Sequence, residues 1–207
     1  MSGNVPIVVL ASGRGSNFDA LVRDLRQREH AGQVVALLSD RSTAPAFAMS
    51  RHHGIPSLAI EFKAFDRREQ FDEALLAAIA PFNPAWVVLA GFRRLLPKAT
   101  VMAFKNRILN VHPSLLPAFP GLHAVREALL QKVRLTGTTV HLVDEGLDTG
   151  PILAQRSVPV LPTDDVQSLT SKIQSVEHQL LPAVVRAVVE GRLRIDDSRP
   201  WIEGECT

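Results

Sequence analysis

Asn110, His112 and the acidic stretch around Asp148 are residues whose types and spacing can do chemistry. Asn110-Val111-His112-Pro113-Ser114 closes an apolar run, and strand alternation puts the Asn110 amide and the His112 imidazole on one face. Such a pair can hold a carbonyl oxygen and pass a proton. The alternative is a strand-end histidine whose nitrogens are satisfied structurally. Asp144-Glu145-Gly146-Leu147-Asp148-Thr149-Gly150-Pro151 places three carboxylates within five residues. One of them turned toward His112 would raise the imidazole pKa and fix its tautomer; the alternative is a solvated acidic turn. No HxH or HExxH pattern accompanies these acids, so a metal site is a weak reading. The other histidines, 30, 52, 53, 123, 141 and 178, read as structural, with His141 packed inside a strand.

A second cluster is Ser12-Gly13-Arg14-Gly15-Ser16-Asn17. Its glycines let the backbone approach an anion, and a helix start after them presents free N–H groups. Neither GxGxxG nor a GK[ST] ending is present. The alternative is a tight turn in which Ser16 or Asn17 caps the helix. Arg67, Arg68, Arg93, Arg94 and Glu177 read by default as surface charges, although arginines in a cleft would suit a carboxylate or phosphate.

The elements that must position these residues follow from periodicity. Val5 to Ala11, Gln33 to Ser39, Ser57 to Ile60 and Ala85 to Gly91 read as strands, separated by helical stretches through Phe18 to Leu25, Ala44 to His53 and Phe71 to Ile79, the last capped by Asp66. Continuous apolar strands between helices imply a parallel sheet covered on both faces. Arg107 to His112, Thr136 to Val143 and Pro151 to Val160 read as further strands, with a helix at Leu122 to Gln131 and a long one from Asp164 to about Glu190, kinked at Pro182. The fold class is therefore α/β: a Rossmann-like, mostly parallel sheet with helices on both faces. Its C-terminal part carries antiparallel strands and the long helix. The polar clusters fall after strands, where such sheets bind ligands.

The chain has 207 residues, 46% hydrophobic and 21% charged, a balance that argues against a disordered chain. A single cysteine, Cys206, excludes an internal disulfide framework and a multi-cysteine zinc site. No apolar run reaches the roughly 18–20 residues of a membrane span, and no signal peptide is visible, so a cytoplasmic protein is expected. Net charge is +2, no long Lys/Arg block exists and Tyr is absent, which argues against a nucleic-acid partner.

ASGRGSN, VVLAGFRRLL, ILNVHPSLLPAFPGLHA, GTTVHLVDEGLDTGPIL and VEHQLLP, in this order, resemble the folate-dependent glycinamide ribonucleotide formyltransferases from Val5 to about Trp201. The resemblance implies a single formyltransferase domain over 1–207, with a mononucleotide-binding half at about 1–105 and a catalytic, folate-binding half at about 106–207. It implies formyl transfer from 10-formyltetrahydrofolate to glycinamide ribonucleotide in purine synthesis, with no metal and with a monomer or homodimer. It implies that Gly15, Ser16 and Asn17 hold the ribonucleotide phosphate, that Gln174 and Glu177 contact the ribonucleotide, and that Asn110, His112 and Asp148 are catalytic. Folate contacts would come from Arg68, Arg93, Arg94, Leu95, Leu96 and Asn110, and from Asp144, Glu145, Gly146, Leu147 and Asp148. On this reading Asp148 keeps His112 charged, and His112 and Asn110 donate to the developing oxyanion.

Two departures stand out: Arg93 where the family commonly has an apolar residue, and Leu147-Asp148-Thr149-Gly150 in place of a frequent LDGG. Methionyl-tRNA formyltransferases and formyltetrahydrofolate deformylases carry added domains, and on size neither matches. A formyltetrahydrofolate hydrolase and a non-catalytic nucleotide- or folate-binding module remain the alternatives.

Overall fold

The computed structural model describes residues 4–27, 32–196 and 199–204, so His30 and Cys206 lie outside it. The chain divides into two compact units, Met1–Asn110 and Val111–Thr207.

The first unit is built on parallel strands. β1 (Val5–Leu10) pairs on one side with β2 (Gly32–Ser39) and on the other with β4 (Trp86–Leu89). β3 (Ser57–Ala59) pairs with β2, and β5 (Ile108–His112) with β4. The order 3-2-1-4-5 is that of a mononucleotide-binding half. Ile7 to Leu10 are wholly buried, as are Val87 and Val88. A strand covered on both faces has no side left for water, which is why these segments are continuously apolar.

α1 (Ser16–Gln27) buries Phe18, Leu21, Val22 and Leu25, an i, i+3, i+4, i+7 stripe. α2 (Ala46–His52) and α3 (Arg68–Ile79) follow, α3 burying Phe71, Leu75 and Ile79. The N-cap of α3 is Arg67 rather than Asp66: Arg67 is extended, and its N–H donates to Gln70 Oε1 at 3.3 Å. α4 (Lys98–Ala103) was not legible from periodicity, because six residues cannot display two turns of a stripe.

In the second unit, α5 (Ala124–Leu130) precedes β6 (Leu135–Leu142), which pairs antiparallel with β7 (Ile152–Pro159). The ladder slips between the Val140–Ala154 and His141–Ile152 pairs, passing over Leu153. Such a bulge changes where the adjoining side chains aim. α6 (Val166–Val189) starts at an Asp165 cap, whose Oδ1 accepts the Ser168 N–H at 2.7 Å while Ser168 Oγ accepts the Asp165 N–H at 3.0 Å. A reciprocal cap of this kind stabilises by about 1 kcal/mol. Leu169 and Ile173 of α6 pack on Val158 of β7, joined by Val125 and Leu129 of α5. Pro182 lies inside α6, and a short hairpin of β8 (Leu193–Arg194) and β9 (Trp201–Ile202), not expected from the sequence, follows it. The first unit's strand pairs are thus parallel, and the second unit carries an antiparallel pair and a long helix. No helix among the described residues is long and apolar enough to cross a membrane.

Candidate active site

His112 ends β5, two residues after Asn110, so the two alternate onto one face of that strand. Its ring is buried and both nitrogens are engaged. Nε2 lies 2.8 Å from the Phe119 carbonyl, and Nδ1 lies 3.4 Å from Asp148 Oδ2. A carbonyl can only accept, so Nε2 carries a hydrogen there. Nδ1 is therefore the nitrogen free to take and give a proton, and it faces a carboxylate.

The segment after β5 supplies this arrangement. Phe119 has φ +55°, a left-handed conformation that is strained for a bulky residue. Outliers of this kind concentrate at functional sites. Two residues on, the Gly121 N–H donates to Asp148 Oδ2 at 2.7 Å. One short segment thus places a carbonyl on His112 and an amide on Asp148. It is tied down from behind: Thr139 Oγ1 donates to the Ser114 carbonyl at 2.7 Å and accepts the Leu116 N–H at 3.1 Å, and Gln155 Nε2 donates to the Leu116 carbonyl at 2.9 Å. Thr138 Oγ1 donates to the carbonyl of His112 itself at 3.2 Å.

Asp148 also has φ +55°, which a short polar side chain tolerates. Its burial opposes ionisation. His141, the Gly121 N–H and His112 outweigh that, and the carboxyl sits below the usual carboxylate range. For His112 the balance goes the other way. Desolvation dominates and lowers its pKa, with His141 adding to the effect, although the Phe119 carbonyl and Asp148 both oppose it. Asp148 does favour the charged imidazole, as expected, but a larger effect opposes it. Burial, the largest influence, outweighs the pull of Asp148 and of the Phe119 carbonyl toward the charged form.

His141 was read from the sequence as structural only. Its Nδ1 donates to the Leu142 carbonyl at 2.8 Å, which turns Nε2 toward Asp148 Oδ1 at 3.7 Å, too long for a hydrogen bond but close for a charge interaction. The signal that could have found it is its place at the end of a strand leading into the acidic loop. In that loop Asp144 Oδ1 accepts the Gly146 N–H at 3.0 Å and the Thr149 hydroxyl at 2.7 Å. Glu145 and Leu147 are exposed. Among the described residues no group of three or more His, Cys, Asp or Glu is assembled as a metal site.

In the first unit, α1 begins at Ser16, so Ser16 and Asn17 occupy its first turn and do not cap it. Their N–H groups are among those an α-helix leaves without an internal partner. Gly15 stands before them at φ +81°, its carbonyl accepting the Asp19 N–H at 2.9 Å. A Cβ at Gly15 would meet Ala46 Cβ at 2.8 Å and Cα at 2.9 Å. The Ala46 N–H in turn donates to the Gly13 carbonyl at 3.1 Å, so α2 holds this loop against itself.

Residues 91–96 form a separate loop of the first unit. Arg93 and Leu95 are exposed, whereas the Leu96 side chain is buried. Arg94 is not a loose surface charge: its Nε donates to Asp40 Oδ2 at 2.6 Å. Arg68, at the start of α3, donates from Nη2 to the Leu95 carbonyl at 2.9 Å. On α6, Glu177 is only 5% exposed, which overturns its reading as a surface charge. Gln174 lies one turn before it and is half-buried.

A buried imidazole that faces a carboxylate at the end of a strand of an α/β fold is equipped for the proton transfers that group-transfer enzymes need. Residues 5–185 match the family described as formyl transferase, and the chain belongs to that family. It is 39% identical over 199 residues to the phosphoribosylglycinamide formyltransferase of Escherichia coli (strain K12), covering 96% of this chain and 94% of that one. It is 44% identical over 182 residues to the protein of the same description from Mycobacterium tuberculosis (strain ATCC 25618 / H37Rv), covering 88% of this chain and 84% of that one. Among solved structures it is similar to glycinamide ribonucleotide transformylase 1 from Symbiobacterium toebii, with a TM-score of 0.93 at 41% identity over 97% of this chain and 95% of that one.

Proposed function

We propose that the chain, as one formyltransferase domain, transfers the formyl group of 10-formyltetrahydrofolate to the amino group of glycinamide ribonucleotide in purine biosynthesis. The observation that carries this reading is the buried His112, with Nε2 held by the Phe119 carbonyl and Nδ1 turned to Asp148. Gly15, Ser16 and Asn17 hold the ribonucleotide phosphate, and Gln174 and Glu177 contact its remainder. The folate contacts come from the loops carrying Arg93 to Leu96 and Asp144 to Asp148, with Arg68 beside the former.

An α-amino group has a pKa of about 8, so roughly a tenth is free amine near pH 7 and no strong base is needed. The amine attacks the formyl carbon; a C–N bond forms and the carbonyl pair moves to oxygen. The Asn110 amide donates to that oxyanion, and His112 does so once it carries the proton shed by the amine. One such donor contributes about 3–4 kcal/mol. His112, whose Nε2 hydrogen is held by the Phe119 carbonyl, accepts the proton shed by the amine at Nδ1, directly or through a water. Asp148 stabilises the resulting imidazolium. The same proton passes to the folate nitrogen as its bond to the formyl carbon breaks, so protons and electrons balance without a further reactant.

The test is deformylation of 10-formyltetrahydrofolate followed by absorbance, with and without glycinamide ribonucleotide. Turnover only with the ribonucleotide supports the transferase. Turnover without it makes the protein a hydrolase, and no turnover in either case leaves a binding module.

A further inference from the structure

Three consecutive residues of the 91–96 loop are held by three different elements of the first unit. The Arg93 N–H donates to Ser12 Oγ at 3.0 Å, and the Ser12 N–H donates to the Gly91 carbonyl at 3.2 Å. Arg68 reaches the Leu95 carbonyl from α3. Between them Arg94 is gripped twice. Its Nε binds Asp40 at the end of β2, and its guanidinium carbon lies 3.7 Å from the centroid of the Phe62 ring. Phe62 is itself placed by Asp40, whose carbonyl accepts its N–H at 3.4 Å, and by an edge-on contact with buried Phe71 at 5.1 Å.

We propose that Asp40 is a positioning residue for the folate co-substrate: as the charge partner of Arg94 and as the acceptor that places its ring partner Phe62, it sets the backbone of the 91–96 loop. This rests on the assignment of that loop to folate in the proposed function. The pair is asymmetric. The Asp40 side chain is 3% exposed and that of Arg94 32% exposed. Asp40 Oδ1 is buried without a hydrogen-bond partner among the described residues, so the carboxylate relies on Arg94. A guanidinium engaged on its edge and its face is a fixed strut, not a mobile cation waiting for an anionic ligand.

The experiment compares wild type, Asp40→Ala, Asp40→Asn and Arg94→Lys. The readouts are kcat, KM for each substrate, tetrahydrofolate binding by calorimetry, and a circular dichroism melt for folding. Asp40→Ala is expected to weaken tetrahydrofolate binding and raise the co-substrate KM about tenfold, with kcat and the ribonucleotide KM within about twofold. Asp40→Asn keeps an oxygen acceptor for Nε and is expected to restore binding to within about threefold of wild type. If Asp40→Ala does not fold, Arg94→Lys serves: it keeps the charge but loses the flat face and Nε, and the co-substrate KM is expected to rise.

Unchanged or tighter tetrahydrofolate binding in a folded Asp40→Ala or Arg94→Lys protein overturns the proposal. So does an equal rise in both KM values. Wild type that binds no tetrahydrofolate overturns the folate reading itself, a result distinct from the other two.

Discussion

Asp148 Oδ2 accepts the Gly121 N–H at 2.7 Å and faces His112 Nδ1 at 3.4 Å, so one carboxylate oxygen joins the loop after β5 to the imidazole at its end. An acceptor already occupied by a backbone amide is oriented before any substrate arrives. Its negative charge stays where the imidazolium will form.

Replacing either partner should therefore damage turnover more than binding. His112→Ala and Asp148→Asn are expected to lower kcat by about 10²–10⁴, with both KM values changed little, as befits groups acting in the transition state. Steady-state kinetics with each substrate varied checks this, and near wild-type turnover in either variant removes the assignment.

The two pKa directions make a pH prediction with a definite sign. His112 is lowered from 6.5, so below that value the unfolded chain binds a proton that the folded chain does not. Stability thus falls as the pH drops through the unfolded value toward the folded one. Asp148, lowered from 3.8, contributes stability above that value that is lost as the pH falls through its folded pKa, a more acid window. Urea midpoints at neutral pH and about pH 5 should then converge for His112→Gln relative to wild type. An unchanged difference would show that His112 is not the group responsible.

Gly146 and Thr149 should be coupled. A Cβ at residue 146 would lie 2.0 Å from the Thr149 hydroxyl, which now donates to Asp144. Gly146→Ala must turn that hydroxyl away, at a cost of about 1 kcal/mol for the lost hydrogen bond. In a Thr149→Gly background the obstruction is gone, and Gly146→Ala should cost less. A double-mutant cycle by denaturant unfolding reads the difference, and simple additivity would refute the coupling.

The nucleotide loop offers a prediction confined to one substrate. Gly15→Ala adds a methyl against Ala46 at a residue held at φ +81°. It is expected to raise KM for the ribonucleotide, as is the joint change of Ser16 and Asn17 to Ala, with tetrahydrofolate affinity unchanged. A weakened folate affinity instead would remove the phosphate role from this loop.

Local patterns made the framework legible. Continuous apolar runs such as Val5 to Leu10 need cover on both faces, and the stripe from Phe18 to Leu25 has helical period, so a parallel sheet with flanking helices followed from local chemistry alone. Asn110 and His112 shared a face because a strand alternates, whatever else surrounds it. The motif resemblance supplied the pairing of His112 with Asp148, thirty-six residues apart in the chain.

What tertiary structure alone decided is how those groups are electrically set. Whether His112 rests charged depends on the competition between Asp148, the Phe119 carbonyl, His141 and exclusion of water, and burial is a property of the packed chain. Likewise Arg94 reads in sequence as any surface arginine. Only packing brings Asp40 and Phe62, 54 and 32 residues upstream, onto its edge and face. Periodicity records which side a residue faces; it does not record what waits there, because contacts between distant segments exist only once the backbone has closed around them.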